Sequence, residues 1–214
     1  MKIAHIISNK VWGGGEQYVY DLCSNLISDG NDVEIFTRPI PAIVGKVATL
    51  GVPIHDYSLK NILKLRDGIV HVHNFKDALK LAVAKKLTHS NIKIVVTRHL
   101  VRPAKTSRLY TWVYDNVEKI IFVSDLARKA FLSSQPKVDE AKLCVVRNSI
   151  KTNDNANSFA IDDIKASLPN DTTILMYHGR IAKEKGLNVL IDAVARLKDI
   201  PYHLFLVGAG DAEY

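Results

Sequence analysis

Residues 174–210 read ILMYHGRIAKEKGLNVLIDAVARLKDIPYHLFLVGAG, and the order of residue kinds along them decides the fold class. The apolar run Ile174 to Tyr177 leads into His178-Gly179-Arg180. Lys183, Glu184, Lys185 and Gly186 follow, then a long amphipathic segment and a second apolar run closed by Gly208-Ala209-Gly210. Strand, basic glycine-bearing loop, helix and strand in that order make a parallel α/β unit. Cations at the carboxyl end of a strand, just ahead of a helix N-terminus, suit a diphosphate, whose charge both attract.

Outward from that unit, strands and helices alternate along the whole chain. Strands are expected at Lys2–Ile7, Val33–Thr37, near Ile54, and at Ile69–Val72, Ile92–Thr97, Ile120–Val123 and Leu143–Val146. Each is a short, nearly continuous apolar run, as a strand buried on both faces should be. Helices are expected at 16–28, 43–50, 77–88 and 126–134, with Ser124 as an N-cap. Val19, Leu22, Cys23, Leu26 and Ile27 recur with helical spacing, and Gly30 lies just past that helix as a stop. Leu109, Val113 and Val117 predict one more helix, stacked at i, i+4, i+8. Between Ser149 and Phe159 the composition shifts to Asn, Asp, Thr and Ser, which reads as a linker. A short helix over 161–168 then opens a second domain. The division is 1–149, a linker and short helix at 150–171, and 172–214. Leu187, Leu190, Ile191, Val194 and Leu197 are expected to form one apolar helix face.

The chain has 214 residues, 47% hydrophobic and 24% charged, with a net charge of +7. These are the proportions of a globular protein with one good core and part of a second. The positive excess is either a solvated basic surface or a face for an anionic acceptor or membrane. No Cys/His finger and no aromatic-interleaved basic stripe points to nucleic acid. The two cysteines, Cys23 and Cys144, sit in apolar segments and are expected to be free. The apolar start is too short for a signal peptide, and no run approaches the roughly 20 residues of a membrane span. A cytoplasmic protein is expected, with peripheral contact at the inner face of a membrane as an option.

Several residue groups fall at strand ends. Gly13-Gly14-Gly15-Glu16 follows the first strand and opens the first helix, where a tight turn or a close ligand would each explain glycine. It is not a dinucleotide fingerprint, because Tyr18 stands where a third glycine would be. His71 and His73 alternate onto one face of their strand, with His73 nearer the carboxyl edge where open α/β sheets bind ligands. No third metal ligand is evident beside them, so no metal is expected. Arg98 and His99 end the next strand, and Arg102, Lys105 and Arg108 make the following loop basic. That loop is either solvated or an anionic-acceptor site. Arg180 and Lys185 are the strongest candidates for binding phosphate, and Glu184 reads as a helix-start residue.

Gly179-Arg180-x4-Lys185-Gly186 resembles the donor-nucleotide loop of the GT-B glycosyltransferases of family 4. The rest follows in the same order: Gly-Gly-x-Glu at 13–16, His-x-His at 71–73, an Asn-initiated linker at Asn148 and Gly-x-Gly at 208–210. The linker departs from the family's usual spelling at Ser149 and Lys151. The resemblance implies a Rossmann-like parallel-sheet domain followed by an incomplete second one. It implies transfer of a sugar, with retention, from a nucleoside-diphosphate sugar to a glycan or lipid-linked acceptor in cell-surface polysaccharide synthesis. Gly14, Gly15, Arg180, Lys185, Gly208 and Gly210 would hold the donor. His73 and His99 would be catalytic, and Arg98 and Arg102 would face the acceptor. No cofactor beyond the nucleotide sugar is implied. The family's Glu-x7-Glu element has no counterpart here. Little activity is therefore expected from this chain alone, with either self-association through 174–214 or fraying of that region. The alternative is a non-catalytic acceptor- or partner-binding domain.

Overall fold

The computed structural model describes residues 1–149 and 158–210. The chain divides into two compact units, Met1–Lys151 and Thr152–Tyr214. Most of the linker expected between Ser149 and Phe159, with Lys151, lies outside the described residues.

The first unit is built on β1 (Lys2–Ile7), β2 (Asp32–Thr37), β3 (Ile54–Asp56), β4 (Ile69–Val72), β5 (Lys93–Arg98), β6 (Lys119–Phe122) and β7 (Leu143–Val145). They form one parallel sheet in the order β3-β2-β1-β4-β5-β6-β7. Between them run α1 (Gly14–Ser28), α2 (Pro41–Ala48), α3 (Leu59–Ile62), α4 (Phe75–Thr88), α5 (Arg108–Asn116) and α6 (Asp125–Leu132). This is the parallel α/β sheet that the alternation predicts, in the Rossmann-like arrangement that the resemblance implies.

Strand alternation sends side chains into two cores. Ala4, Ile6, Phe36, Val70 and Val72 join the larger one, with Leu81, Tyr114 and Phe131. Ile7, Val33 and Ile35 join the smaller one with Val19 and Cys23 of α1 and Ile43 and Val47 of α2. Burial on both faces is why these strands read as unbroken apolar runs. Gly30 ends α1 with φ +75, a conformation that favours glycine. Ser124 caps α6, its hydroxyl accepting from the Ala127 amide at 3.1 Å. Cys23 is buried and Cys144 partly so, and both are free.

In the first unit two expectations need correction. Leu109 is 50% exposed rather than packed with Val113 and Val117. It occupies the first turn of α5, and Val117 lies past the helix end in extended backbone. Tyr114 fills the place in the core instead. Second, α3 was not foreseen; a four-residue helix is too short to show a period, although Ser58 caps it through the Asn61 amide. Pro41 begins α2, where its missing N–H would have had no partner.

The second unit contains α7 (Ser158–Ala166), β8 (Thr173–His178), α8 (Leu187–Val194) and β9 (Tyr202–Val207). β8 and β9 pair in parallel from Thr173↔Tyr202 to His178↔Val207. The apolar face expected along 187–197 is shorter than its pattern. α8 ends at Val194, Leu187 and Val194 are buried, and Ile191 and Leu197 are exposed.

Candidate active site at the strand ends

Strand order reverses between β1 and β4, and ligands of open α/β sheets settle outside the carboxyl ends near such a point. β1 and β4 pair in register so that His5 lies directly beside His71. The result is a ladder of imidazoles. His5 and His71 have ring centroids 5.0 Å apart, and His71 and His73 4.7 Å. His73 and His99 follow at 5.6 Å, with His73 Nδ1 3.4 Å from His99 Nε2. The ladder climbs from the sheet interior to its carboxyl edge.

Burial sets the charge state of these rings. It holds His5 down to about 4. His71 and His73 lie well below the ordinary histidine value, first by burial and then by neighbouring imidazoles. His99 is lowered by burial, with Glu16 pulling the other way. Neutral imidazoles are the consequence at pH 7. His71 is satisfied by Thr97 Oγ1 at 2.8 Å. Among the described residues neither ring nitrogen of His5 has a partner, nor does His73 Nε2.

His5 overturns the ground on which metal was set aside. It supplies the missing third ligand, and His5, His71 and His73 offer ligand atoms within 4.8 Å of one another. The three could hold a divalent cation. The group includes no carboxylate, and an uncompensated double charge inside the sheet is strongly disfavoured.

Tyr18 also belongs here. Its ring meets His99 edge-on at 4.9 Å and His73 at 6.0 Å. At the start of α1, Glu16 accepts from the Gly13 amide at 2.9 Å and from Asn9 Nδ2. The glycines around it are not explained by a tight turn. None of Gly13, Gly14 and Gly15 has positive φ. A Cβ built on Gly14 or Gly15 would meet nothing within 4 Å. What they leave is open space on the side where a side chain would stand.

Next to the ladder lies a cavity of about 590 Å³. Its floor is Asp77, which accepts from Ser8 Oγ at 2.5 Å, from Asn74 Nδ2 at 2.7 Å and from the Tyr57 hydroxyl. Arg98 shapes the rim. Its guanidinium donates to the carbonyls of Arg102 at 2.5 Å and Pro103 at 3.1 Å, and lies over Phe131 at 5.2 Å. Arg98 therefore holds its own loop, and the exposed Arg102 is the freer of the two expected acceptor-side arginines.

In the second unit Arg180 and Lys185 are both exposed on the loop between β8 and α8. Glu184 lies in a short 3-10 turn, Lys183–Lys185, and pairs with Arg180. Such an exposed pair is worth about 0–1 kcal/mol and yields readily to a phosphate. Gly208 and Gly210 have a structural reason of their own. A Cβ on Gly208 would sit 1.8 Å from the Gly179 carbonyl oxygen, and one on Gly210 2.2 Å from that of Ile181. Their bareness lets the two strand-end segments lie side by side.

The model of a family described as Glycosyltransferase Family 4 matches residues 12–154. No curated protein matches the chain by sequence. Among solved structures, Anabaena Alr3699/HepE in complex with UDP-glucose is similar, at 14% identity and TM-score 0.74 over 98% of this chain and 61% of that one. The lipopolysaccharide outer core galactosyltransferase WaaB superposes with TM-score 0.63 at 15% identity, over 100% of this chain and 62% of that one. MurG of Acinetobacter baumannii gives 0.56 at 12% identity, over 96% and 60%. The chain thus spans about three-fifths of the length of these structures, and at such identities the likeness is one of fold.

Proposed function

Since the chain belongs to glycosyltransferase family 4, we propose that it serves transfer of a sugar from a nucleoside diphosphate to the hydroxyl of a glycan or lipid-linked acceptor. Transfer occurs with retention, in cell-surface polysaccharide synthesis, in the cytoplasm or at the inner face of the membrane. Among the described residues no helix is long and apolar enough to cross a membrane.

The observation that carries this reading is the meeting of His73 and His99 with each other and with Tyr18 of α1, in the unit of the family match. In the other unit Arg180 and Lys185 would take the departing diphosphate, Arg180 exchanging Glu184 for a phosphate oxygen. His73 and His99 were expected to be catalytic. Their lowered basicity makes them poor proton acceptors and good hydrogen-bonding partners for sugar hydroxyls, so their role is orientation. In front-face attack the proton of the acceptor hydroxyl passes to the departing phosphate oxygen, and no carboxylate nucleophile is needed.

The second reading is a non-catalytic binding domain, in which Arg180 keeps Glu184 as its partner. Saturation-transfer NMR with a panel of nucleoside-diphosphate sugars separates the two. A nucleotide signal that Arg180→Ala/Lys185→Ala weakens at least tenfold supports the transferase, since each charge-assisted bond is worth about 1.5–3 kcal/mol. No signal from any nucleotide rejects it.

A further inference from the structure

The cavity beside the histidine ladder carries more positive charge than recognition of a neutral sugar requires. Arg38, Lys76, Lys80, Arg98, Arg102 and Lys105 line its roughly 590 Å³. Its one carboxylate, Asp77, is buried under Ser8, Asn74 and Tyr57, and only Lys80 approaches it, at 3.7 Å. The other contacts of these cations leave their charge in place. Arg38 Nε donates to the Ser8 carbonyl at 2.6 Å, and Lys105 to the Tyr110 hydroxyl at 3.0 Å. Among the described residues the side chains of Arg102 and Lys76 make no hydrogen bond or ion pair. Like charges held around one concavity repel, and an anion placed between them relieves that repulsion.

The arrangement of the cations selects the anion. Arg38 follows β2, Lys76 and Lys80 stand on α4, and Arg102 and Lys105 belong to the loop after β5. Charge arriving from three separate elements suits the outward-pointing oxygens of phosphate groups. A planar carboxylate is satisfied by one arginine fork. An aromatic wall stands among the cations, with the Arg98 guanidinium 5.8 Å from the centre of the Phe75 ring. Phe75 and Tyr114 line the cavity, and Leu100 stands more than half exposed at its rim.

We propose that this cavity binds the phosphate or diphosphate group of the acceptor, with the attached chain or sugar lying along the aromatic wall and Leu100. The word acceptor here rests on the transferase reading; the phosphate site itself does not. The shared chemistry is a phosphoryl group, whether carried by a lipid or free.

The test uses the full chain with Arg180→Gln and Lys185→Gln, so that the loop of the second unit contributes nothing. Calorimetric titrations with inorganic pyrophosphate, farnesyl diphosphate and octyl glucoside are compared. Binding of the two diphosphates at least tenfold tighter than the glucoside is expected, weakening as salt is raised. Adding Arg102→Gln and Lys105→Gln should cost a further tenfold or more for the diphosphates and leave the glucoside unchanged. Near-ultraviolet circular dichroism checks that the fold is kept. Farnesyl diphosphate binding tenfold tighter than pyrophosphate assigns the site to a lipid-borne group, and equal binding assigns it to a free phosphate. Diphosphates that bind no better than the glucoside, or that ignore the Arg102 and Lys105 changes, overturn the proposal. UDP is titrated separately against the unmodified chain. Lost UDP binding with intact diphosphate binding rejects the transferase reading alone, and the converse rejects the phosphate site alone.

Discussion

His73 meets His99 edge to edge, one residue past the ends of the neighbouring strands β4 and β5, with Nδ1 of the first 3.4 Å from Nε2 of the second. A hydrogen bond between them needs one nitrogen bare, so the pair cannot be doubly protonated and keep it. Burial already holds His73 well below the ordinary value. In a proton NMR titration the ring signals of His5, His71 and His73 should therefore stay unchanged from pH 8 to pH 6. Any of the three moving with a midpoint near 6.5 would show the ladder to be hydrated and charged.

The same rings should make the protein acid-labile. His5 titrates at about 4 in the fold against an ordinary 6.5. The unfolded chain takes up the proton first, so stability is level above pH 6.5 and falls as pH drops from 6.5 towards 4. Between pH 6.5 and 5 each histidine held neutral removes up to about 2 kcal/mol. Urea unfolding at the two pH values should show the loss, and His5→Gln should lessen it. A midpoint that does not move between them contradicts the neutral assignment.

The glycines divide into two kinds with opposite predicted behaviour. Gly14→Ala and Gly15→Ala lie in α1 with open space around them. Each should stabilise the first unit by about 0.4–1 kcal/mol, as alanine does at a helical position without a clash. The same changes should weaken nucleotide-sugar or acceptor binding. Gly208→Ala must instead displace the Gly179 carbonyl, and should speed hydrogen exchange across β8 and β9. Thermal melts for the first pair and exchange rates for the third check the contrast, and a destabilised Gly14→Ala would return the glycines to a purely structural role.

Ser124→Ala should cost about 1 kcal/mol, the usual loss of an N-cap, because the Ala127 amide then has no acceptor. Chemical denaturation reads it. A loss under a few tenths would mean that water replaces the cap.

Much of the fold was legible because parallel strands buried on both faces are short apolar runs, and Lys2–Ile7 and Ile69–Val72 stand out as such. Ser124 was legible because a cap acts within three residues. His5 was not legible as a site residue. It lies inside one of those apolar runs, and its meeting with His71 depends on β1 pairing with β4, which no local pattern states. A histidine in an otherwise apolar strand was the available signal. In the sequence Tyr18 reads only as a missing glycine, although its distance from His99 gives it a place in the site. The Asp77 network escaped for the same reason as His5, since its partners Ser8 and Tyr57 are distant in sequence. Leu109 misled because periodicity marks an apolar stripe without marking where its cover ends.

The Asp77 carboxylate has one further consequence, for anyone reshaping the cavity. It fastens the segment after β1 through Ser8, the segment after β3 through Tyr57 and the start of α4 through Asn74. Three stretches tied to one small group behave as a single casting, and a graft into any of them disturbs the others. The rim at 100–103 is not part of that tie. Its side chains Leu100, Val101 and Arg102 are exposed, and Arg98 grips only its backbone carbonyls. Sequence exchanged there, with Arg98 kept, should alter which molecules enter while the floor beneath stays as it is.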